Sequence, residues 1–132
     1  MNPEAGDLCV LDASAVLALL NDEAGSENVA ERLGEALISA VNWSEVAERA
    51  LSVGVGIGGL REDLEDLGLR VAGFDAVHAE LAAVLREPTR DLGLSIADRA
   101  CLALADDLGA PAVTADQAWA DLDVGVEIEL IR

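Results

Sequence analysis

Four acidic residues stand at or just after apolar runs, where a helix is expected to begin. They are Asp12, Glu45, Asp98 and Asp116. In a chain that alternates strands with helices, such places lie along one edge of a parallel sheet, and open α/β sheets bind ligands outside the carboxyl ends of their strands. Carboxylates gathered there repel one another unless a cation joins them. The spacing therefore predicts an acidic site at one sheet edge.

A site built from carboxylate oxygens, without His or Cys, suits a hard cation such as Mg²⁺ or Mn²⁺. Mg²⁺ commonly binds through one or two carboxylates together with a substrate phosphate. Water on such an ion becomes more acidic and can attack phosphorus, while the ion stabilises the charge that builds on the phosphate. One of the acids can instead act as a general base. The chemistry expected of this pattern is metal-assisted phosphodiester hydrolysis.

Each acid also has an explanation that needs no ligand. The segments 42–45 and 95–98 both fit the capping-box pattern, in which an acid in the first helical turn reaches back to the first amide. Asp12 and Asp116 fit simple N-caps. Asp75 has the same local pattern, so topology alone does not single out four acids. At this level a metal site and a set of helix caps both remain open.

The elements that must position these acids follow from the apolar periodicity. Strands are predicted at 8–11, 36–41, 69–74, 111–114 and 127–131. Helices are predicted at 12–20, 27–33, 42–53, 60–67, 75–86 and 95–108. This alternation predicts one α/β domain with a parallel sheet covered by helices on both faces. The glycine-rich segment 54–59 follows a helix and not a strand, so it is predicted to connect two helices and not to bind a dinucleotide.

Composition limits the class of protein. The chain has 132 residues, of which 52% are hydrophobic and 2% aromatic, so its core must be aliphatic. It has no apolar run near the roughly 18 residues of a membrane span and no basic amino-terminal signal region, which predicts a cytoplasmic protein without membrane contact. The two cysteines, Cys9 and Cys101, are expected to be buried thiols.

The net charge is −18, and all eight positive residues are arginines. A field of that sign repels nucleic acid over most of the surface and attracts a basic partner. The alternative is that an acidic surface only keeps the protein soluble. Receiver domains and aspartyl-phosphate phosphatases also gather acids at strand ends, but they depend on a lysine, and this chain has none.

Several single residues receive structural interpretations. In the helix that Asp75 begins, four residues are expected to face inward: Val77, Leu81, Val84 and Leu85. His78 is expected at the surface or at its boundary. Trp43 and Trp119 are expected to pack beside helix starts, and Arg99 is expected to form a surface ion pair.

Four sequence blocks occur in the order typical of one family. They read VLDASA at 10–15, SEV at 44–46, LGLSIADRACLALA at 92–105 and VTADQAW at 113–119. With these blocks the chain resembles PIN domains, and most closely the bacterial toxins of the VapC type from VapBC toxin–antitoxin systems. The resemblance covers nearly the whole chain, and the block around Asp98 is the most specific.

The resemblance implies a three-layer α/β/α PIN-like fold over residues 1–132, with a central parallel sheet of four or five strands. It also implies an Mg²⁺- or Mn²⁺-dependent endoribonuclease. The residues expected to be catalytic are Asp12, Glu45, Asp98 and Asp116. Those expected to bind the metal are Asp12, Asp98 and Asp116. Ser14 and Thr114 match polar positions that support the acids or the water on the ion.

The resemblance further implies partners. Such toxins cut RNA and are inhibited by a cognate antitoxin, which also binds operator DNA. We therefore expect an RNA substrate, a basic antitoxin of the VapB type, a homodimer, and DNA contact only through the antitoxin. Two alternatives stay open from the sequence: a housekeeping RNA-processing nuclease with a PIN fold, and a non-catalytic PIN-fold binding module.

Overall fold

Short apolar segments pair in parallel to form the central sheet of the protein. The computed structural model describes residues 7–132. Within that range the strands are β1 (Cys9–Leu11), β2 (Ala36–Ser39), β3 (Arg70–Ala72), β4 (Ala112–Thr114) and β5 (Ile128–Leu130). They are all parallel and lie in the order β3-β2-β1-β4-β5. The predicted parallel sheet is confirmed, with five strands.

Helices cover both faces of this sheet. They are α1 (Ala13–Leu20), α2 (Ser26–Arg32), α3 (Ala40–Ser52), α4 (Leu60–Asp66), α5 (Ala76–Val84) and α6 (Ile96–Leu108). Single turns of 3-10 helix lie at Leu33–Glu35 and Arg90–Leu92, and a longer one lies at Gln117–Asp121. No helix among residues 7–132 is both long and apolar enough to cross a membrane.

The core consists of two clusters, one on each face of the sheet. In β1 the side chains of Cys9 and Leu11 enter one cluster and that of Val10 enters the other, because successive residues of a strand point to opposite faces. The fully buried Trp119 packs in the second cluster with α6. The three-layer α/β/α arrangement is therefore confirmed, as are the packing of Trp119 and the buried free thiols of Cys9 and Cys101.

The sheet order places the central strand at the point where the chain changes direction. From β1 the chain adds β2 and β3 on one side, whereas β4 and β5 lie on the other side. In the β1–β4 pair, Leu11 lies opposite Val113, so Asp12 and Thr114 end these strands side by side. Ligands bind at such switch points in open α/β sheets.

The boundary between β2 and α3 differs from the prediction. The strand was predicted at 36–41 with a capping box at 42–45, but it ends at Ser39. The Ser39 hydroxyl accepts a hydrogen bond from the Val41 amide at 3.3 Å and caps α3. The predicted capping box at 42–45 is therefore wrong, because two residues able to cap lie close together and the earlier one is used. The strand predicted at 69–74 is also shorter, at Arg70–Ala72.

The inward face of α5 was predicted correctly only in part, because Leu85 packs against the second core cluster but two of the four predicted residues are exposed. Val77 is 56% exposed and Val84 is 71% exposed, whereas His78 and Ala82 are the buried residues of this helix. The helix packs on α6 through small and polar side chains. The Arg99 guanidinium is buried there and donates from Nη1 to the Ala82 carbonyl at 2.8 Å. The surface ion pair predicted for Arg99 is therefore wrong, and His78, predicted at the surface or its boundary, is 7% exposed beside the half-exposed Asp107.

Candidate active site

Asp12 is the fixed point of the acidic edge. It is the N-cap of α1 and only 5% exposed. Its Oδ1 accepts from the Ser14 hydroxyl at 2.7 Å and from the Ala15 amide at 2.9 Å. Its Oδ2 accepts from the Thr114 hydroxyl at 2.5 Å. Two donors from α1 thus hold Oδ1, and one donor from β4 holds Oδ2.

Ser14 and Thr114 tie the start of α1 to the end of β4. The Ser14 hydroxyl accepts from the Ala115 amide at 2.9 Å, and the Thr114 hydroxyl accepts from the Asp116 amide at 3.0 Å. The two hydroxyl oxygens lie 3.2 Å apart. Because each accepts from a backbone amide and donates to Asp12, the orientation of both hydroxyls is set. These two residues therefore hold the carboxylate of Asp12 in place.

The charge of Asp98 acts on the carboxyl groups of both Asp12 and Glu45. Burial raises the pKa of Asp12, the hydrogen bonds from Thr114, Ser14 and the Ala15 amide lower it, and the charge of Asp98 raises it. Burial also raises the pKa of Glu45, followed by the negative charges of Asp98 and Asp12. Like charges near one another disfavour ionisation. The sheet edge therefore brings three of the four predicted acids into one negative region.

Asp98 and Asp116 bond to the amides of their own helical turns. Asp98 Oδ2 accepts from the Ser95 amide at 3.0 Å, and the Ser95 hydroxyl accepts from the Asp98 amide at 3.1 Å. The predicted capping box at 95–98 is therefore confirmed. Asp116 is exposed and accepts from the Ala118 amide at 3.0 Å. In the described part of the chain, no three His, Cys, Asp or Glu side chains are close enough to hold an ion together.

The donor set nevertheless fits a hard divalent cation. All four side chains offer carboxylate oxygens, which Mg²⁺ and Mn²⁺ prefer. A carboxylate has about four acceptor positions, and Asp12 uses three of them within the described residues. A cation would also reduce the repulsion that raises the pKa values of Asp12 and Glu45. The residues therefore fit such an ion by their chemistry and their charge.

Asn42 is a buried polar residue at this edge that sequence reasoning treated as a helix cap. It is 1% exposed and lies in the first turn of α3. Its Nδ2 donates to the Ala97 carbonyl of α6 at 3.0 Å. Its Oδ1 is buried and accepts no hydrogen bond from residues 7–132, an arrangement that costs about 1–3 kcal/mol. No pattern in the sequence signals this bond, because its partners are 55 positions apart.

An open groove leads away from Glu45 between α1 and α3. Its volume is roughly 430 Å³, and it is lined by Ala13, Leu17, Glu45, Glu48, Arg49 and Ser52. Arg49 is the positive side chain in this lining, and it forms no ion pair with residues 7–132. The groove therefore offers an extended ligand a path to the acidic edge.

The family profile described as PIN domain matches residues 9–125. The chain belongs to the PIN domain family. No curated protein matches the sequence closely enough to be called a relative. The PIN family resemblance read from the four sequence blocks is confirmed.

Solved structures that share the fold include chains of a toxin–antitoxin complex and of VapBC complexes. A chain of the toxin–antitoxin complex from Klebsiella pneumoniae is 19% identical, with a TM-score of 0.70, over 91% of this chain and 99% of that one. A chain of FitAcB from Neisseria gonorrhoeae is 20% identical, with a TM-score of 0.71, over 94% of this chain and 98% of that one. A chain of VapBC2 from Rickettsia felis, bound to a promoter DNA fragment, is 18% identical, with a TM-score of 0.67, over 92% of this chain and 97% of that one. At these identities the likeness is one of fold.

Proposed function

We propose that this PIN domain is an Mg²⁺- or Mn²⁺-dependent endoribonuclease and the toxin of a toxin–antitoxin pair. The observation that carries the proposal is the shared negative region of Asp12, Glu45 and Asp98 at the carboxyl edge of the sheet. Perturbed ionisable groups in such a position are typical of functional sites. A set of unrelated helix caps gives no reason for the charge of Asp98 to raise the pKa of both Asp12 and Glu45.

The roles of the residues follow from their surroundings. A bound Mg²⁺ or Mn²⁺ would supply Lewis-acid stabilisation of the phosphate and a more acidic attacking water. Asp12 would hold the ion, because donors fix its carboxylate. Asp98 and Asp116 would offer it their remaining oxygens. Glu45 is suited to accept a proton from the attacking water, because its raised pKa makes it a stronger base than an ordinary carboxylate.

RNA cleavage by the purified protein tests the enzymatic part. We expect Mg²⁺-dependent cleavage that EDTA abolishes. Asp12→Asn and Asp98→Asn should each lose more activity than the roughly 10–100-fold typical of groups one shell from a metal. Asp91→Asn is the control, because Asp91 is an exposed acid in a separate 3-10 turn. Full activity in a folded Asp12→Asn or Asp98→Asn variant would reject the assignment.

One observation favours a non-catalytic PIN module instead. Asp98 and Asp116 each accept a hydrogen bond from an amide of their own turn, which is enough to explain an acid at a helix start. In that case the wild-type protein would cleave no RNA with either metal. The cleavage assay above therefore separates the two functions.

The toxin part of the proposal has separate support. Structural neighbours of this chain include chains of toxin–antitoxin and VapBC complexes, two of them bound to DNA. The charge of −18 also suits a basic antitoxin. We propose a cytoplasmic homodimer that contacts DNA only through that antitoxin. Expression should arrest growth, and co-expression of the neighbouring gene should restore it. Absence of toxicity in an active nuclease would favour a housekeeping role.

Binding of the antitoxin should depend on salt. Charge attraction between exposed groups is screened beyond about 8–10 Å at physiological ionic strength. The affinity of a basic antitoxin for this acidic chain should therefore fall as salt rises, mainly through a slower association rate. A titration between low and high salt measures this. An affinity that salt does not change would contradict electrostatic recruitment.

A further inference from the structure

Two of the helices that carry the candidate acids are joined by one buried side chain. Glu45 lies in α3 and Asp98 in the first turn of α6. Asn42 lies one turn before Glu45, and its Nδ2 donates to the carbonyl of Ala97 at 3.0 Å. Ala97 immediately precedes Asp98 in the chain. The bond therefore connects the turn beside one acid to the turn that bears another.

The amide of Asn42 also acts on Glu45 directly. Burial and the charges of Asp98 and Asp12 raise the pKa of Glu45, and the nearby Asn42 amide lowers it. A side-chain amide has two N–H donors. The Asn42 nitrogen therefore bonds to the Ala97 carbonyl and has a second N–H to offer the Glu45 carboxylate.

The other end of the amide shows that Asn42 is not placed for packing alone. The side chain is 1% exposed, yet its Oδ1 accepts no hydrogen bond from the described residues. Leucine has a similar volume and would fill the same space without a buried, unpaired acceptor. The structure therefore keeps an amide at a position where an apolar residue would pack better, and only the donor end of that amide is in use.

We propose that Asn42 is a positioning residue of the acidic site, which sets the separation of Glu45 and Asp98 by fastening the first turn of α3 to the first turn of α6. This inference rests on the proposed metal-dependent function. Groups that orient metal ligands without touching the ion typically affect metal affinity or activity by 10–100-fold when removed. Removal of the Asn42 side chain should have an effect in that range.

The test is a calorimetric titration of metal-free protein with Mn²⁺, without RNA. Asn42→Ala should bind Mn²⁺ roughly 10–100-fold more weakly than wild type. Asn28→Ala is the matched control, because Asn28 Nδ2 also donates to a backbone carbonyl, that of Ile131, at 3.0 Å. It bonds to none of the four acids. The control should lose stability and keep its Mn²⁺ affinity.

A second variant covers the case in which Asn42→Ala does not fold. Asn42→Leu removes the donor and the unpaired acceptor but keeps the volume, so it should be at least as stable as wild type while binding Mn²⁺ weakly. In RNA cleavage it should lower kcat and leave KM for RNA unchanged. Wild-type Mn²⁺ affinity in a folded Asn42→Leu protein would overturn the positioning role. No Mn²⁺ binding by the wild type would instead reject the proposed function, and the positioning role with it.

Discussion

Two buried ionisable side chains lie near opposite ends of α6, and their neighbours differ in sign. Asp12 lies near Asp98, the third residue of the helix, and the charge of that acid adds to the effect of burial on its pKa. His78 lies near the other end, where its Nε2 is 2.9 Å from Asp107 Oδ2. The hydrogen bond with Asp107 raises the pKa of His78, and burial opposes it. One site places a buried acid near a like charge, and the other can pair opposite charges.

The comparison distinguishes a buried ionisable group that stabilises the fold from one that lowers its stability. A buried charge is unfavourable unless it is paired and hydrogen-bonded. His78 meets that condition, so stability alone explains its surroundings. Asp12 meets only half of it, because it has hydrogen bonds but forms no ion pair with an Arg or His side chain of residues 7–132. Arrangements that reduce stability persist where function requires them, and for this reason we place the function at Asp12.

The largest effect in this comparison should come from removing a donor to Asp12. Thr114 is fully buried, and its hydroxyl donates to the carboxylate. Thr114→Val should lower the free energy of unfolding at pH 7 by about 1.5–3 kcal/mol, the range for a hydrogen bond to a charged group. Chemical denaturation measures this loss.

Thr89→Val is the control for that measurement. Thr89 is 2% exposed, and its hydroxyl donates to the Leu85 carbonyl at 2.7 Å, a neutral acceptor. A neutral bond contributes only about 0.5–1.5 kcal/mol. Equal losses of unfolding free energy in the two variants would show that a hydrogen bond to the Asp12 carboxylate contributes no more than one to a backbone carbonyl.

A smaller effect of opposite direction is expected from neutralising Asp12. Because its folded pKa is raised, ionisation costs more in the folded chain than in the unfolded one. Asp12→Asn should therefore increase the stability of the metal-free protein at pH 7.5, on the order of 1 kcal/mol, since the lost hydrogen bonds offset part of the gain. The gain should shrink as the pH falls and the wild-type carboxylate becomes protonated. A stability loss at pH 7.5 that persists at low pH would contradict this view of the site.

The smallest effect should come from His78. Its folded pKa is raised above the unfolded value of 6.5, so its stabilisation is fully present below that pH and is lost as the pH rises through the folded pKa. The stability difference between wild type and His78→Gln should be larger at pH 5.5 than at pH 8.5, by roughly 0.5–1 kcal/mol. Asp75 and Asp107 are the charged groups that face the ring. A difference that does not vary with pH would show that His78 acts only by packing.

The strand–helix alternation could be predicted because it depends on residues that are close together in the sequence. Buried parallel strands read as short apolar runs, and Ser95 with Asp98 forms the capping box that its spacing predicts. The same local rule failed at Asn42, because Ser39 competes for the same helix start. Asn42 instead bonds to the Ala97 carbonyl, which no local pattern predicts.

The polar side of α5 could not be predicted for a related reason. Val77 and Val84 have the spacing of a buried face, yet both are exposed. The face is instead determined by His78 and its partner Asp107, 29 positions later. Of the candidate site, the sequence indicated the edge at which Asp12, Glu45 and Asp98 lie in one negative region; a catalytic role for the four acids stays a prediction. The bonds of Asp98 and Asp116 to amides of their own turns were predicted as helix caps and are confirmed, whereas the buried bond from Asn42 to Ala97 was not predicted.

The central claim is that acids from distant parts of the chain share one negative region that a divalent cation relieves. Carboxyl titration by NMR, with and without saturating Mg²⁺, tests it most directly on the intact protein. Without the ion, Asp12 and Glu45 should titrate above their ordinary pKa values of 3.8 and 4.5, and with Mg²⁺ both should titrate lower. If Mg²⁺ leaves both titrations unchanged, the claim is contradicted.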